Sequence, residues 1–226
     1  MKIFNTAVYG LEDALRASGY PKRIEFETEE DFKTALERGK KLGNVPIGSG
    51  HDCFLKGIIV QADIQYTQYW SMQYQRYHFA DIVSSSSKMF RLTKMDPAKC
   101  CNKYTLPSST DQLKKLIDAH ERFDSHEPVD GVSSFGSVGK VVALTDGRTE
   151  YFVTKGDLFN MVLSNCPMGL ELTMRIVTNY TQLKTMYMQR HNTDAVKLPD
   201  DWGIFCKFII SLPYFKELCF GNKKTD

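Results

Sequence analysis

Between Phe54 and Ser87 the chain changes its periodicity twice, and that change limits the folds open to it. Phe54 to Ile64 is rich in β-branched residues and reads as a buried strand. Thr67 to Tyr77 carries Tyr69, Trp70, Tyr74 and Tyr77 with glutamines between them, which suits a half-buried helix. Ser84 to Ser87 then breaks that pattern, because serine side chains compete for backbone hydrogen bonds and favour turns and helix starts. A strand, a helix and a serine turn in close succession predict an α+β domain.

The rest of the chain fits that class. Residues 1–9 alternate like a short strand, and Leu11 to Ser18 reads as a helix stopped by Gly19 and Pro21. Thr28 and Asp31 form a capping arrangement ahead of a helix that fades by Gly43. Leu113, Leu116 and Ile117 mark another helix, and Val141 to Val153 reads as a hairpin turning at Thr145 to Arg148. Helices are expected over Asp157 to Leu163, over Leu170 to Arg190, and after Pro199-Asp200-Asp201. One domain spanning 1–226 is expected, with an insertion around 124–153.

Composition narrows the function. Hydrophobic residues make up 42% of the 226 positions, enough for a sizeable core. The 29 basic and 27 acidic side chains leave a net charge of +2, which argues against a wide basic face for nucleic acid and leaves room for a local phosphate pocket. The N-terminal residues lack the apolar core of a signal peptide. Gly203 to Phe215 is interrupted by Lys207, Ser211 and Pro213, short of the roughly 20 apolar residues of a membrane helix. Six cysteines show no Cys-x-x-Cys pair, so no metal site is expected, and reduced thiols in a cytoplasm are the expected state.

Two clusters stand out. On a helix Gln73, Arg76 and Tyr77 would share one face, with Ser84, Ser85, Ser86 and Lys88 folding back beside it. An amide to read a base, cations for phosphate and hydroxyls near the ring are what a nucleotide site requires. The plain alternative is a polar helix face followed by a serine turn. The second cluster is Asn179 and Arg190, eleven residues apart and so able to point the same way from one long helix, with Thr185 between them; buried polar groups there need a partner. Its plain alternative is a surface arginine. Gly136 to Lys140 looks like a phosphate loop but fails, because Ser134 and Val141 stand where glycine and a hydroxyl residue are required.

Taken together these segments resemble the flavin-dependent thymidylate synthases. That family's signature is Arg-His-Arg, seven residues, then Ser, with Gln three residues ahead; here Gln73, Arg76-Tyr77-His78 and Ser86 keep the spacing. His51 and Cys53 match a His and a small polar residue of the preceding element, and Asn179 and Arg190 match an Asn and an Arg eleven residues apart. The resemblance implies a mixed or antiparallel sheet flanked by helices, in a homotetramer binding FAD and dUMP. It implies reductive methylation of dUMP to dTMP with methylenetetrahydrofolate and NADPH as co-substrates. Gln73, Arg76 and Ser86 would act at the reacting rings. His51, Cys53, Arg76, Tyr77, His78, Asn179 and Thr185 would hold FAD, and Gln73, Ser84, Ser85, Ser86, Lys88 and Arg190 would hold dUMP. Tyr77 and His78 depart from the Arg-His-Arg pattern, and an imidazole is not the permanently charged fork of an arginine. That departure keeps two other readings open: a relative making another 5-substituted pyrimidine, such as a hydroxymethyl product, and a non-catalytic homologue that binds nucleotide or flavin.

Overall fold

The computed structural model describes residues 1–24, 30–46, 49–124, 132–135, 142–145, 150–192 and 197–221. The chain divides into two compact units: Met1–Tyr66, Trp70–Ser85 and Thr173–Asp226 form the first, and Thr67–Tyr69 and Ser86–Leu172 form the second.

The first unit is organised by a four-stranded sheet of β1 (Lys2–Tyr9), β2 (Ile59–Thr67), β3 (Ala80–Ser85) and β7 (Glu171–Asn179), in the order β1-β2-β7-β3. The outer pairs β1–β2 and β3–β7 run antiparallel. On the two central strands every second residue is buried, including Val60, Ala62 and Ile64 on β2 and Met174, Ile176 and Thr178 on β7. That period-two pattern gives the sheet one buried face. The helices of this unit are α1 (Leu11–Ala17), α2 (Phe32–Gly43), α3 (Gln68–Tyr74, from Trp70 on), α8 (Tyr180–Arg190), α9 (Trp202–Ser211) and α10 (Phe215–Cys219). Trp70, Tyr74, Trp202 and Phe205 form an aromatic cluster, with ring centroids of Trp70 and Trp202 5.2 Å apart. Gly10 turns β1 into α1 at φ 70°, and a Cβ there would stand 2.6 Å from the Gly57 carbonyl oxygen, so glycine is required twice over.

The second unit holds the short helices α4 (Lys88–Arg91) and α5 (Pro97–Cys100), the longer α6 (Pro107–Glu121) and α7 (Lys155–Ser164), and an antiparallel sheet of β4 (Val132–Phe135), β5 (Val142–Thr145) and β6 (Glu150–Val153). Thr154 and Asp157 close a capping box on α7, each side chain satisfying the other's backbone N–H. The expected hairpin is present as the β5–β6 pair, Val142 opposite Val153 and Thr145 opposite Glu150. Thr28, His126, Gly136 to Lys140, the turn at Asp146 to Arg148 and Ala195-Val196 lie outside the described residues.

Three expectations are corrected. Leu170 to Arg190 is not one helix: Glu171–Asn179 is a strand and α8 begins only at Tyr180. Leu172, Ile176, Tyr180 and Leu183 fit helical spacing as well as Leu172, Met174 and Ile176 fit alternation, and the neighbouring strands decide between the two. The strand expected from Phe54 starts at Ile59, after a 3-10 turn over Cys53–Gly57. Finally, α3 stops at Tyr74, so Arg76 and Tyr77 belong to the following turn, while Ser84 and Ser85 pair with Arg175 and Met174 as part of β3. Ser87 does start a helix, its hydroxyl accepting from the Phe90 N–H. Among the described residues no helix is long and apolar enough to cross a membrane.

Candidate functional site

Within the first unit Arg190 of the second sequence cluster meets Tyr77 and Gln73 of the first. The turn after α3 brings Tyr77 back toward the C-terminal end of α8. There the Arg190 Nε donates to the Tyr77 hydroxyl at 2.8 Å, and the hydroxyl donates to Gln189 Oε1 at 3.0 Å. A second guanidinium N–H of Arg190 reaches Gln73 Oε1 at 3.4 Å, across 117 residues of sequence. The Trp202 indole N–H donates to the same oxygen at 2.6 Å. The guanidinium carbon lies 4.8 Å from the Trp202 ring centroid and 5.6 Å from that of Tyr77. Flat contact of this kind suits arginine, whose guanidinium is weakly hydrated. Gln73, Tyr77, Arg190 and Trp202 thus form one rigid patch.

The neighbours of these residues are placed differently. Arg76 and His78 are exposed in the turn. Asn179 and Arg190 do not share a stripe: Asn179 caps the N-terminus of α8, its Oδ1 accepting from Gln182 N–H at 2.9 Å, and Arg190 ends the same helix about 16 Å away. Thr185 donates to the Thr181 carbonyl inside that helix at 3.2 Å. Sequence reasoning missed Trp202, a member of the patch, and Gln189, which accepts from the Tyr77 hydroxyl beside it. A tryptophan following Pro199-Asp200-Asp201 at a helix start was the available signal, yet it reads equally well as core.

His51 and Cys53, both exposed, line a cavity of about 530 Å³ with Arg38, Lys22, Leu42 and Phe54. That volume is within the range of small-molecule sites. Arg38 is fixed there: it donates to the Ser18 hydroxyl and the Leu15 carbonyl, each at 2.9 Å, and to Glu30. The Arg38 guanidinium beside it holds the Glu30 carboxyl below the usual glutamate value. The loop carrying His51 is anchored from below. Lys184, buried on α8, donates to the carbonyls of Gly43 at 2.8 Å and Val45 at 3.1 Å, and to Asp52 Oδ2 at 3.2 Å. A buried ammonium is tolerable because all its donors find oxygen. Asp52 sits between His51 and Cys53, so this anchor sets where both side chains emerge.

In the second unit Lys88 Nζ donates to Gln68 Oε1 at 3.1 Å, and the Gln68 amide nitrogen donates to Cys166 Sγ at 3.2 Å and the Pro167 carbonyl at 3.0 Å. Arg91 donates to the Ser86 hydroxyl at 3.0 Å. Ser86, Lys88 and Arg91 therefore gather two cations and a hydroxyl around the start of α4. Ser84 and Ser85 are exposed at the end of β3. Burial pushes the Cys101 thiol up to about 11 and raises that of Cys166 too, which keeps both protonated and unreactive at neutral pH. Among the described residues no group of three His, Cys, Asp or Glu side chains is placed to hold a metal ion.

No protein-family model matches the chain, and no curated protein matches it. Solved structures do. The chain is similar to the crystal structure of the flavin-dependent thymidylate synthase ThyX from Helicobacter pylori complexed with FAD and dUMP, with a TM-score of 0.64 and 11% identity over 97% of this chain and 98% of that one. A second crystal structure of ThyX from the same organism, with FAD and dUMP at 2.31 Å resolution, matches with a TM-score of 0.64 and 10% identity over 97% of each chain. The fold is that of the flavin-dependent thymidylate synthases, an α+β fold with an open four-stranded sheet.

Proposed function

We propose that the protein is a divergent flavin-dependent thymidylate synthase that binds FAD and dUMP and converts dUMP to dTMP. The observation that carries this reading is the meeting of Gln73 and Arg190, two positions of the family's pattern, within 3.4 Å in a chain that otherwise shares only fold with its structural neighbours. In this reading methylenetetrahydrofolate donates the carbon and NADPH supplies the electrons, so that the hydrogen on uracil C5 is replaced by methyl. FAD, when bound, supplies the hydride.

This chain's residues bind and orient. Within the second unit Lys88, with Ser86 and Arg91, offers cationic and hydroxyl donors of the kind that hold a phosphate. Gln73 and Arg190 present a fixed edge for the nucleotide, and Arg76 and His78 are exposed side chains of the adjoining turn. The cavity at His51 and Cys53, with the fixed Arg38 on its wall, has the size and the cationic lining to take part of an anionic dinucleotide. Ser84, Ser85, Asn179 and Thr185 are further binding residues of the same proposal. Tyr77 takes the place of the family's histidine and binds Arg190. A homotetramer is part of the same proposal, with exposed Phe79 and Val83 at the free edge of the sheet as surface for a second copy.

The test is an absorbance spectrum of the purified protein with and without added FAD and dUMP, followed by product mass. Flavin uptake perturbed by dUMP, then a product heavier by a methylene, is the expected result. A product carrying an added oxygen identifies a hydroxymethylating enzyme instead, and a colourless protein that takes up no flavin ends both readings.

A further inference from the structure

The contacts of Gln73 settle which end of its amide faces a ligand. Oxygen and nitrogen of a glutamine amide are told apart by their partners. Here both partners, the Trp202 indole N–H at 2.6 Å and the Arg190 guanidinium at 3.4 Å, are donors with no acceptor capacity. The atom between them is therefore the carbonyl oxygen, and turning the amide over would set its N–H₂ against two further donors. Trp202 is fully buried, so its indole N–H has no water to turn to and holds the amide in this sense. The Gln73 amide nitrogen then points away, and among the described residues it has no hydrogen-bond partner. Gln73 itself is half-buried, at the margin of the patch.

We propose that Trp202 is a positioning residue that fixes Gln73 as a hydrogen-bond donor toward the substrate, so that the site accepts an oxygen acceptor of a pyrimidine nucleotide and rejects a donor at that place. The inference rests on the proposed dUMP site. Two oxygens of such a ligand qualify: a ring carbonyl or a phosphate oxygen. A ring carbonyl at C4 distinguishes uracil from cytosine, which carries an amine there.

The experiment is calorimetric titration of the full chain, FAD present, with dUMP and with dCMP. Gln73→Glu keeps an oxygen for Trp202 and Arg190 and replaces the outward N–H₂ with an acceptor, so it preserves the protein contacts and reverses the reading. Its dUMP affinity is expected to fall at least about a hundredfold with the melting midpoint held. A dUMP-to-dCMP preference that inverts assigns the contact to the C4 carbonyl; an equal fall for both assigns it to an oxygen that the two nucleotides share, the C2 carbonyl or a phosphate oxygen. Trp202→Phe lets the amide turn, and dUMP affinity should fall about tenfold. Adding Trp202→Phe to Gln73→Glu should cost nothing further, because the indole acts through Gln73. Undiminished dUMP binding by Gln73→Glu overturns the inference, as does an additive double variant. Should Trp202→Phe fail to fold, Gln73→Glu alone decides. Wild-type protein that binds neither nucleotide overturns the proposed function itself, an outcome separate from wild-type binding that Gln73→Glu leaves intact.

Discussion

Lys184 shows how one side chain serves stability and site together. Its ammonium is 4% exposed and its partner Asp52 8%, and two backbone carbonyls complete its shell. Replacing it with methionine keeps the volume and leaves the Asp52 carboxylate buried without its cation. Lys184→Met should therefore lose about 3–5 kcal/mol in a denaturant melt, and Lys184→Met with Asp52→Asn should recover much of that. A double variant no more stable than the single one would show that the pair is not the source of the loss. The lysine reads in the sequence as an ordinary charged helix residue. Neither its burial nor its partners 132 and 141 residues away follow from its neighbours in the chain. Gln73 and Arg76, by contrast, were legible as candidates because amide and guanidinium stand at a fixed spacing.

At the scale of elements, helix starts are fixed by capping, which is local chemistry. Asp31 caps α2 by accepting from Thr34 N–H at 3.2 Å, and the capping box at Thr154 and Asp157 starts α7, each within four residues. Asn179 caps α8 by the same chemistry, its Oδ1 accepting from the Gln182 N–H, at a position that the sequence reading placed inside a longer helix. Asn179→Ala should cost about 1 kcal/mol in thermal melts, and Asn179→Asp, which caps as well, should restore the midpoint. Equal melting of the alanine and aspartate variants would remove capping as its role. The strand in β7 was not legible, because its apolar residues satisfy both periods and only pairing with β2 and β3 selects alternation.

At the scale of the molecule, ligand binding and folding are linked. A chain that holds FAD and dUMP only when folded gains stability by mass action. With each ligand about a hundredfold above its dissociation constant, the gain is about 2.7 kcal/mol per site. Thermal melts of the full chain with FAD, dUMP and both should show successive upward shifts; a midpoint unmoved by either ligand would contradict a site for them. The edge strand β3 and the exposed Phe79 and Val83 make the state of association part of the same measurement, since melting of an oligomer depends on protein concentration.

The sequence by itself determined what depends on neighbours along the chain: the α+β class, the helix that follows Asp201 and the β5–β6 pair. Tertiary structure alone decided that Arg190 meets Tyr77 and Gln73 across 113 and 117 residues, that Trp202 stands behind them, and that Lys184 anchors the loop carrying His51. The physical reason is range. Periodicity and capping act over one or two helical turns, whereas a hydrogen bond between distant residues exists only once the packed core has fixed where both side chains stand.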